Sequence, residues 1–138
     1  MPIESSEREA LERYALFSSF DSEEIEALYE SSRPVSTGAG EVLFEEGDPG
    51  DSLFAIVFGG VRIVGGPAHG LAQTLASLGP GESFGEMSLL AEKLRSATAI
   101  TIHPSVLLRV DSYGLEVLQS RRPAAAEKFA VASVRLTS

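Results

Sequence analysis

A chain of 138 residues with 43% hydrophobic and 22% charged side chains has ordinary globular usage, which excludes a disordered or fibrous protein. Folding at this size buries roughly two-thirds of the surface that the unfolded chain exposes, enough for one domain with a core of its own. A net charge of −9 disfavours nucleic acid as a partner, and the lack of cysteine excludes a disulfide frame and a thiolate metal site.

In chain order, Ser6 with Glu9 reads as a capping box opening a helix through about residue 16, marked by Leu11, Tyr14 and Phe17. Asp21 with Glu24 repeats the signal for Ile25, Leu28 and Tyr29. Arg33-Pro34 ends this second helix, because the residue before proline avoids helical geometry. From residue 35 to 110 the texture changes to short apolar runs punctuated by Gly, Pro and Asp: 42–44, 53–58, 61–64, 75–78, 98–102 and 106–110. Regularly spaced β-branched and aromatic runs indicate a β-sandwich or barrel. Gly59-Gly60 reads as a two-residue hairpin turn, and residues 65–70 as a glycine-rich hairpin tip. Asp111 then reads as the N-cap of a helix at 113–120, weakened by Gly114. Pro123 opens a last helix that places Ala125, Phe129, Ala132 and Leu136 on one face. The expected fold is therefore mainly β, with N-terminal helices over 1–34, a β-roll over 35–110 and C-terminal helices over 111–138, all in one domain spanning 1–138.

The most specific chemistry lies in residues 84–98. Gly79, Gly81 and Gly85 let the backbone turn sharply beside a ligand, and the apolar run at 87–90 suits one helical turn. The N–H groups of Gly85, Glu86, Met87 and Ser88 at its start lack intrahelical acceptors and point toward an anion. Arg95, nine residues beyond Glu86, supplies a planar guanidinium able to grip two phosphate oxygens, and Ser96 adds a hydroxyl and an N–H. A carboxylate beside a phosphate repels it unless it accepts a hydrogen bond, and a ribose 2′-hydroxyl is a donor that acidic residues take in dinucleotide sites. Phosphate and ribose together point to a nucleotide. An acidic protein can still hold one, since charges beyond about 8 Å are screened at physiological salt.

At Phe84, Gly85, Glu86, Ser88, Leu89, Leu90, Arg95, Ser96, Ala97 and Thr98 the chain resembles the phosphate-binding cassette of the cyclic-nucleotide-binding domain family. A second family signature matches at residues 47–57, followed by Gly60 before Val61-Arg62-Ile63. Two ordered signatures at family-like separation are far more specific than a lone glycine motif. The resemblance covers about residues 14–136 and implies a β jelly-roll of the double-stranded β-helix kind. It also implies a non-catalytic sensor whose C-terminal helix moves when cAMP or cGMP binds. By the same resemblance Glu86 holds the ribose 2′-hydroxyl and Arg95 the cyclic phosphate. Gly85, Met87, Ser88, Ser96 and Ala97 line the phosphate rim, with Phe84 opening the cassette. Leu94 stands where the family often has proline, which implies a looser return loop. Ser96 is intermediate between the Thr and Ala that often separate guanine from adenine preference, so the base stays open.

Two other classes compete. One is an interaction module of the same family without a ligand, for which Leu94 leaves room. The other is a cupin-like metal enzyme, for which His69 and His103, 34 positions apart, offer no local ligand spacing. Asp48 and Asp51 could pass for paired catalytic carboxylates, but Asp in a Gly-Asp-Pro-Gly turn more simply bonds its own backbone. Phe129, Val131 and Val134 read as core or dimer contacts more readily than as a cap on the base. No metal is expected. With no recognition helix, signal peptide or apolar span in the sequence, the expectations are a cytoplasmic protein with neither a nucleic-acid nor a membrane contact. Its partners are then a cyclic nucleotide, an unknown downstream protein, and a second copy docked through the C-terminal helix.

Overall fold

The computed structural model describes residues 21–65, 73–85, 94–125 and 127. Helix α1 (Ser22–Glu30) opens on Asp21, whose carboxylate accepts from the Glu24 N–H at 2.8 Å while Glu24 Oε1 accepts from the Asp21 N–H at 2.9 Å. The expected capping box therefore forms and satisfies two donors that the helix cannot. Ile25, Leu28 and Tyr29 make the buried face. The Ser31 hydroxyl donates to the Ala27 carbonyl at 2.6 Å and closes the helix. The earlier helix expected at 6–16 lies outside the described residues.

Eight strands follow: β1 (Arg33–Thr37), β2 (Val42–Phe44), β3 (Ser52–Phe58), β4 (Val61–Gly65), β5 (Gln73–Leu78), β6 (Ser83–Phe84), β7 (Thr98–Thr101) and β8 (Ser105–Asp111). They form two four-stranded antiparallel sheets, ordered β1-β8-β3-β6 and β2-β7-β4-β5. This is the expected sandwich. Two strands go beyond the sequence reading. β6 has only two residues, too short to show a period. β1 begins before Pro34, which pairs with Leu108; a proline is tolerated there because β1 is an edge strand and needs no donor on its free side.

The expected hairpin at Gly59-Gly60 is not one. β3 pairs with β8 and β6, and β4 with β5 and β7, so the two glycines carry the chain from one sheet to the other. Gly59 has φ +93°, and a Cβ there would stand 2.6 Å from the Pro104 carbonyl and 2.1 Å from Ser105 Oγ. The close crossing needs glycine, and a pair of glycines in sequence does not distinguish it from a tight turn.

The first sheet is buried on both faces. Leu53, Ala55 and Val57 of β3, with Leu108 and Val110 of β8, face Ile25, Leu28 and Tyr29. Phe54, Ile56 and Leu107 face inward with Phe84, Val61, Leu78 and Ala99. The two-residue period of strands sorts neighbours between these layers. Helix α2 (Ser112–Arg121) packs on the outer layer through Leu118. Its N-cap is Asp111, as expected, accepting from the Gly114 N–H at 2.8 Å. Ion pairs Arg121–Glu30 and Arg122–Glu23 tie α2 and the residue after it to α1. Residues 123–125 are helical and Ala125 joins the same core; Phe129, Ala132 and Leu136 lie outside the described residues.

Candidate functional site

The site is built at one end of the sandwich, where the 47–52 loop, the end of β6 and the segment before β7 meet. Its floor is aromatic. The Phe54 and Phe84 rings stack with centroids 5.3 Å apart, and Phe44 lies 6.1 and 6.0 Å from them. Arg95 sits on this floor with Cζ 4.0 Å from the Phe44 centroid. Cation–π contact with a desolvated ring is worth roughly 1–2 kcal/mol.

Arg95 is held from several sides. Its Nη1 donates to the Gly85 carbonyl and its Nη2 to the Ser52 carbonyl, each at 2.8 Å. Its own backbone is fixed as well, since the Arg95 N–H donates to the Asp48 carbonyl and the Gly47 N–H to the Arg95 carbonyl, both at 2.8 Å. Arg95 is buried, with 6% of its surface exposed. Burial follows from this seat: carbonyls on two sides and a ring beneath replace the water that a guanidinium gives up.

Gly85 makes the seat possible. Its φ is +84°, and a Cβ there would stand 2.7 Å from Arg95 Nη1 and 3.4 Å from the Ser52 carbonyl. Any side chain would push the arginine out. Where the return path reaches the described residues it is tied down: Leu94, 64% exposed, forms an antiparallel bridge with Pro49, and the two backbone bonds of Arg95 flank it. The rest of the return loop expected to be looser lies outside the described residues.

Of the other cassette residues, Phe84 is buried in the aromatic floor, Ala97 is buried and Ser96 is exposed. Glu86, Met87 and Ser88 lie outside the described residues, as does His69. Asp48 performs the turn chemistry expected of it, accepting from the Glu45 N–H at 2.9 Å. Asp51 does not. It pairs with Arg109 of β8, whose Nη2 donates to Asp51 Oδ1 at 3.0 Å while its Nε donates to Ser52 Oγ at 3.1 Å.

Sequence reasoning missed Phe44, the Ser52 carbonyl and Arg109. A signal for Arg109 was present: in β8, Leu108 and Val110 share one face, so Arg109 shares the inward face of Leu107. A charged residue on an inward face asks for a partner. Nothing local marked Phe44 or the carbonyl, because only the folded chain brings them to residue 95.

Slight burial pushes the Asp51 carboxyl up, and the hydrogen bond and positive charge of Arg109 outweigh it, holding the group below its ordinary 3.8. For a carboxyl lowered on folding, the stabilisation is complete above the unfolded value and is lost as pH falls through the folded one. The Asp51 side chain is 74% exposed, so solvent and salt screen the pair and its contribution stays under about 1 kcal/mol. An NMR titration of the Asp51 carboxyl should show its midpoint below 3.8, moving back up in Arg109→Gln. A wild-type midpoint at or above that value would contradict the pairing.

Two antiparallel four-stranded sheets with flanking helices, and an arginine buried between a glycine turn and an aromatic floor, define a class of mainly-β sandwich protein. The family model for the cyclic nucleotide-binding domain matches residues 34–121, and the chain belongs to that family. Over 96 residues it is 40% identical to the cyclic AMP receptor protein of Thermus thermophilus, covering 70% of this chain and 44% of the relative. Over 121 residues it is 32% identical to a CRP-like cAMP-activated global transcriptional regulator of Mycobacterium tuberculosis, covering 88% of this chain and 54% of the relative. A crystal structure of a cyclic nucleotide-binding domain from Methylobacillus flagellatus superposes with a TM-score of 0.76 at 27% identity, covering 96% of this chain and 74% of that one. The chain spans about half the length of the two sequence relatives. Among the described residues no helix is long and apolar enough to cross a membrane, and no three His, Cys, Asp or Glu residues group as metal ligands.

Proposed function

We propose that the chain is a non-catalytic regulatory domain that binds a 3′,5′-cyclic nucleotide, cAMP in the first instance, at the end of the sandwich. The observation that carries this reading is Arg95. Few residues are as costly to bury as an arginine, and this one is oriented by two carbonyls, beside a glycine whose lack of a side chain admits it. Such a group is suited to a small anion. Arg95 would grip the cyclic phosphate, with Gly85, Met87, Ser88, Ser96 and Ala97 at the rim, Phe84 below, and Glu86 accepting from the ribose 2′-hydroxyl. The names of the Thermus and Mycobacterium relatives favour cAMP.

Regulation would run through the C-terminal helix, whose position the ligand can shift only by binding its two arrangements with different affinity. Helix α2 already packs on the outer face of the sheet that carries Ser52 and Phe54, so the site and the helical layer share one wall. The relatives named as transcriptional regulators are about twice as long as the matched region. The proposal of no nucleic-acid contact therefore concerns this domain's own acidic surface, in a cytoplasmic protein that passes its signal to a protein partner or a second copy.

Calorimetric titration with cAMP and cGMP tests the reading. Saturable 1:1 binding is expected, and Glu86→Ala should narrow the preference for cAMP over its 2′-deoxy analogue, because only the ribo form offers the hydroxyl. Undetectable binding by the folded wild type would sink the proposal; an undiminished ribo preference in Glu86→Ala would sink the role given to Glu86.

A further inference from the structure

We propose that Arg109, a strand residue outside the cassette, is a positioning residue for Arg95, clamping the Asp51–Ser52 junction where the 47–51 loop enters β3 and from which the Arg95 guanidinium hangs. The inference deepens the reading of Arg95 as the phosphate contact and rests on it for its functional consequence. The two arginines meet through one residue. The Ser52 hydroxyl oxygen accepts from Arg109 Nε at 3.1 Å and its carbonyl accepts from Arg95 Nη2 at 2.8 Å. Asp51, the neighbour of Ser52, takes the remaining arm of Arg109 at 3.0 Å.

The loop needs such a tie. Residues 47–52 hold Arg95 through three carbonyl or N–H contacts, yet the loop 47–51 begins at Gly47 with φ +91° and contains Gly50, and Ser52 is only the terminal residue of β3, paired with Asp111 at the end of the ladder, so the backbone constrains this junction from one side alone. Arg109 is on the opposite footing. It lies within β8, paired on one side with Arg33 of β1 and on the other with Phe54 of β3, so its Cα cannot follow a moving loop. Its fork therefore transfers the rigidity of the sheet to residues 51 and 52, and through the Ser52 carbonyl to the plane of the second guanidinium. A bidentate grip on phosphate depends on that plane.

A further consequence concerns charge. Two guanidinium groups around one serine repel, and the Asp51 carboxylate on the outer arm of Arg109 offsets this while leaving the inner bond to Ser52 intact. Lysine at 109 could reach Asp51 or Ser52 but could not span both in the same geometry.

The test uses the whole chain as wild type, Arg109→Gln, Arg109→Lys and Asp51→Asn. In the ligand-free proteins, NMR of the arginine side chains should show hindered rotation of the Arg95 guanidinium in wild type and faster rotation in Arg109→Gln. Calorimetry with cAMP should show about a tenfold loss of affinity in Arg109→Gln and about threefold in Asp51→Asn, with Arg109→Lys recovering part of the loss. Asp51 is an exposed loop residue, so its variant reports even if Arg109→Gln folds poorly. A lowered melting temperature with unchanged Arg95 signals and unchanged affinity would show a merely stabilising ion pair and overturn the proposal. Full recovery by Arg109→Lys would overturn it too, since charge alone would then suffice. If the wild type takes up no cyclic nucleotide, the functional reading fails by itself; the ligand-free rotation of Arg95 still decides for or against the clamp.

Discussion

Arg95→Ala is expected to remove cyclic-nucleotide binding and to lower the stability of the ligand-free domain at the same time. The first effect follows from truncating one partner of a buried charge-assisted contact, which costs on the order of 2–5 kcal/mol, or roughly 30-fold to several thousandfold in affinity. The second follows from the seat. Alanine leaves the Gly85 and Ser52 carbonyls without the guanidinium and exposes a gap over Phe44. Losing hydrogen bonds to a charged group, less the desolvation cost that disappears with it, should amount to about 1–3 kcal/mol. Arg95→Lys separates the two roles: one ammonium keeps the charge but cannot serve two carbonyls and two phosphate oxygens, so affinity should fall by about tenfold to a hundredfold with a smaller change in melting. Calorimetry and thermal melting on both variants decide it. Unchanged affinity in the lysine variant would end the phosphate assignment, and an unchanged melting temperature in the alanine variant would end the structural one.

Gly114→Ala is expected to destabilise, against the local rule. In an isolated helix the substitution gains about 1 kcal/mol, because alanine is the better helix former. Here a Cβ at residue 114 would stand 2.1 Å from the Ser31 carbonyl oxygen and 3.3 Å from Val110 Cγ1. Ser31 is the C-cap of α1, its N–H bonded to the Ala27 carbonyl and the Ser32 N–H to the Tyr29 carbonyl, so it cannot yield without carrying the end of that helix. Overpacking of this kind costs about 1–3 kcal/mol and should exceed the propensity gain. At this chain length each kcal/mol shifts the midpoint by about 3–5 °C, so a fall of several degrees is expected in a thermal melt. A rise would mean that α1 and α2 separate freely, contrary to the ion pairs Arg121–Glu30 and Arg122–Glu23 that join their ends.

Local chemistry made much of this domain legible from its amino acids. Both caps, Asp21 and Asp111, act through a side chain reaching three residues along its own chain, so sequence spacing alone identifies them. The strand runs at 42–44, 53–58, 61–64 and 106–110 were legible because their β-branched and aromatic residues lie between Gly, Pro and Asp. The glycine turn at Gly85 and the arginine at 95 were legible as a pair because they stand ten positions apart, and the structure brings them into contact. What depended on meetings between distant residues was not. Gly59 reads as a turn until Pro104 and Ser105 come against it, and Gly114 reads as a weak point in a helix until Ser31 does. Arg95 reads as a phosphate contact, but its seat is invisible until the Ser52 carbonyl, 43 positions away, and the Phe44 ring come against it. Fold class and short-range chemistry are written in the order of the residues, because they rest on periods, caps and turn residues that act within a few positions. The sheet each strand joins, the need for glycine at 59 and 114 and the seat of Arg95 emerge on folding, because each depends on a contact whose partners are set by the packing of distant segments.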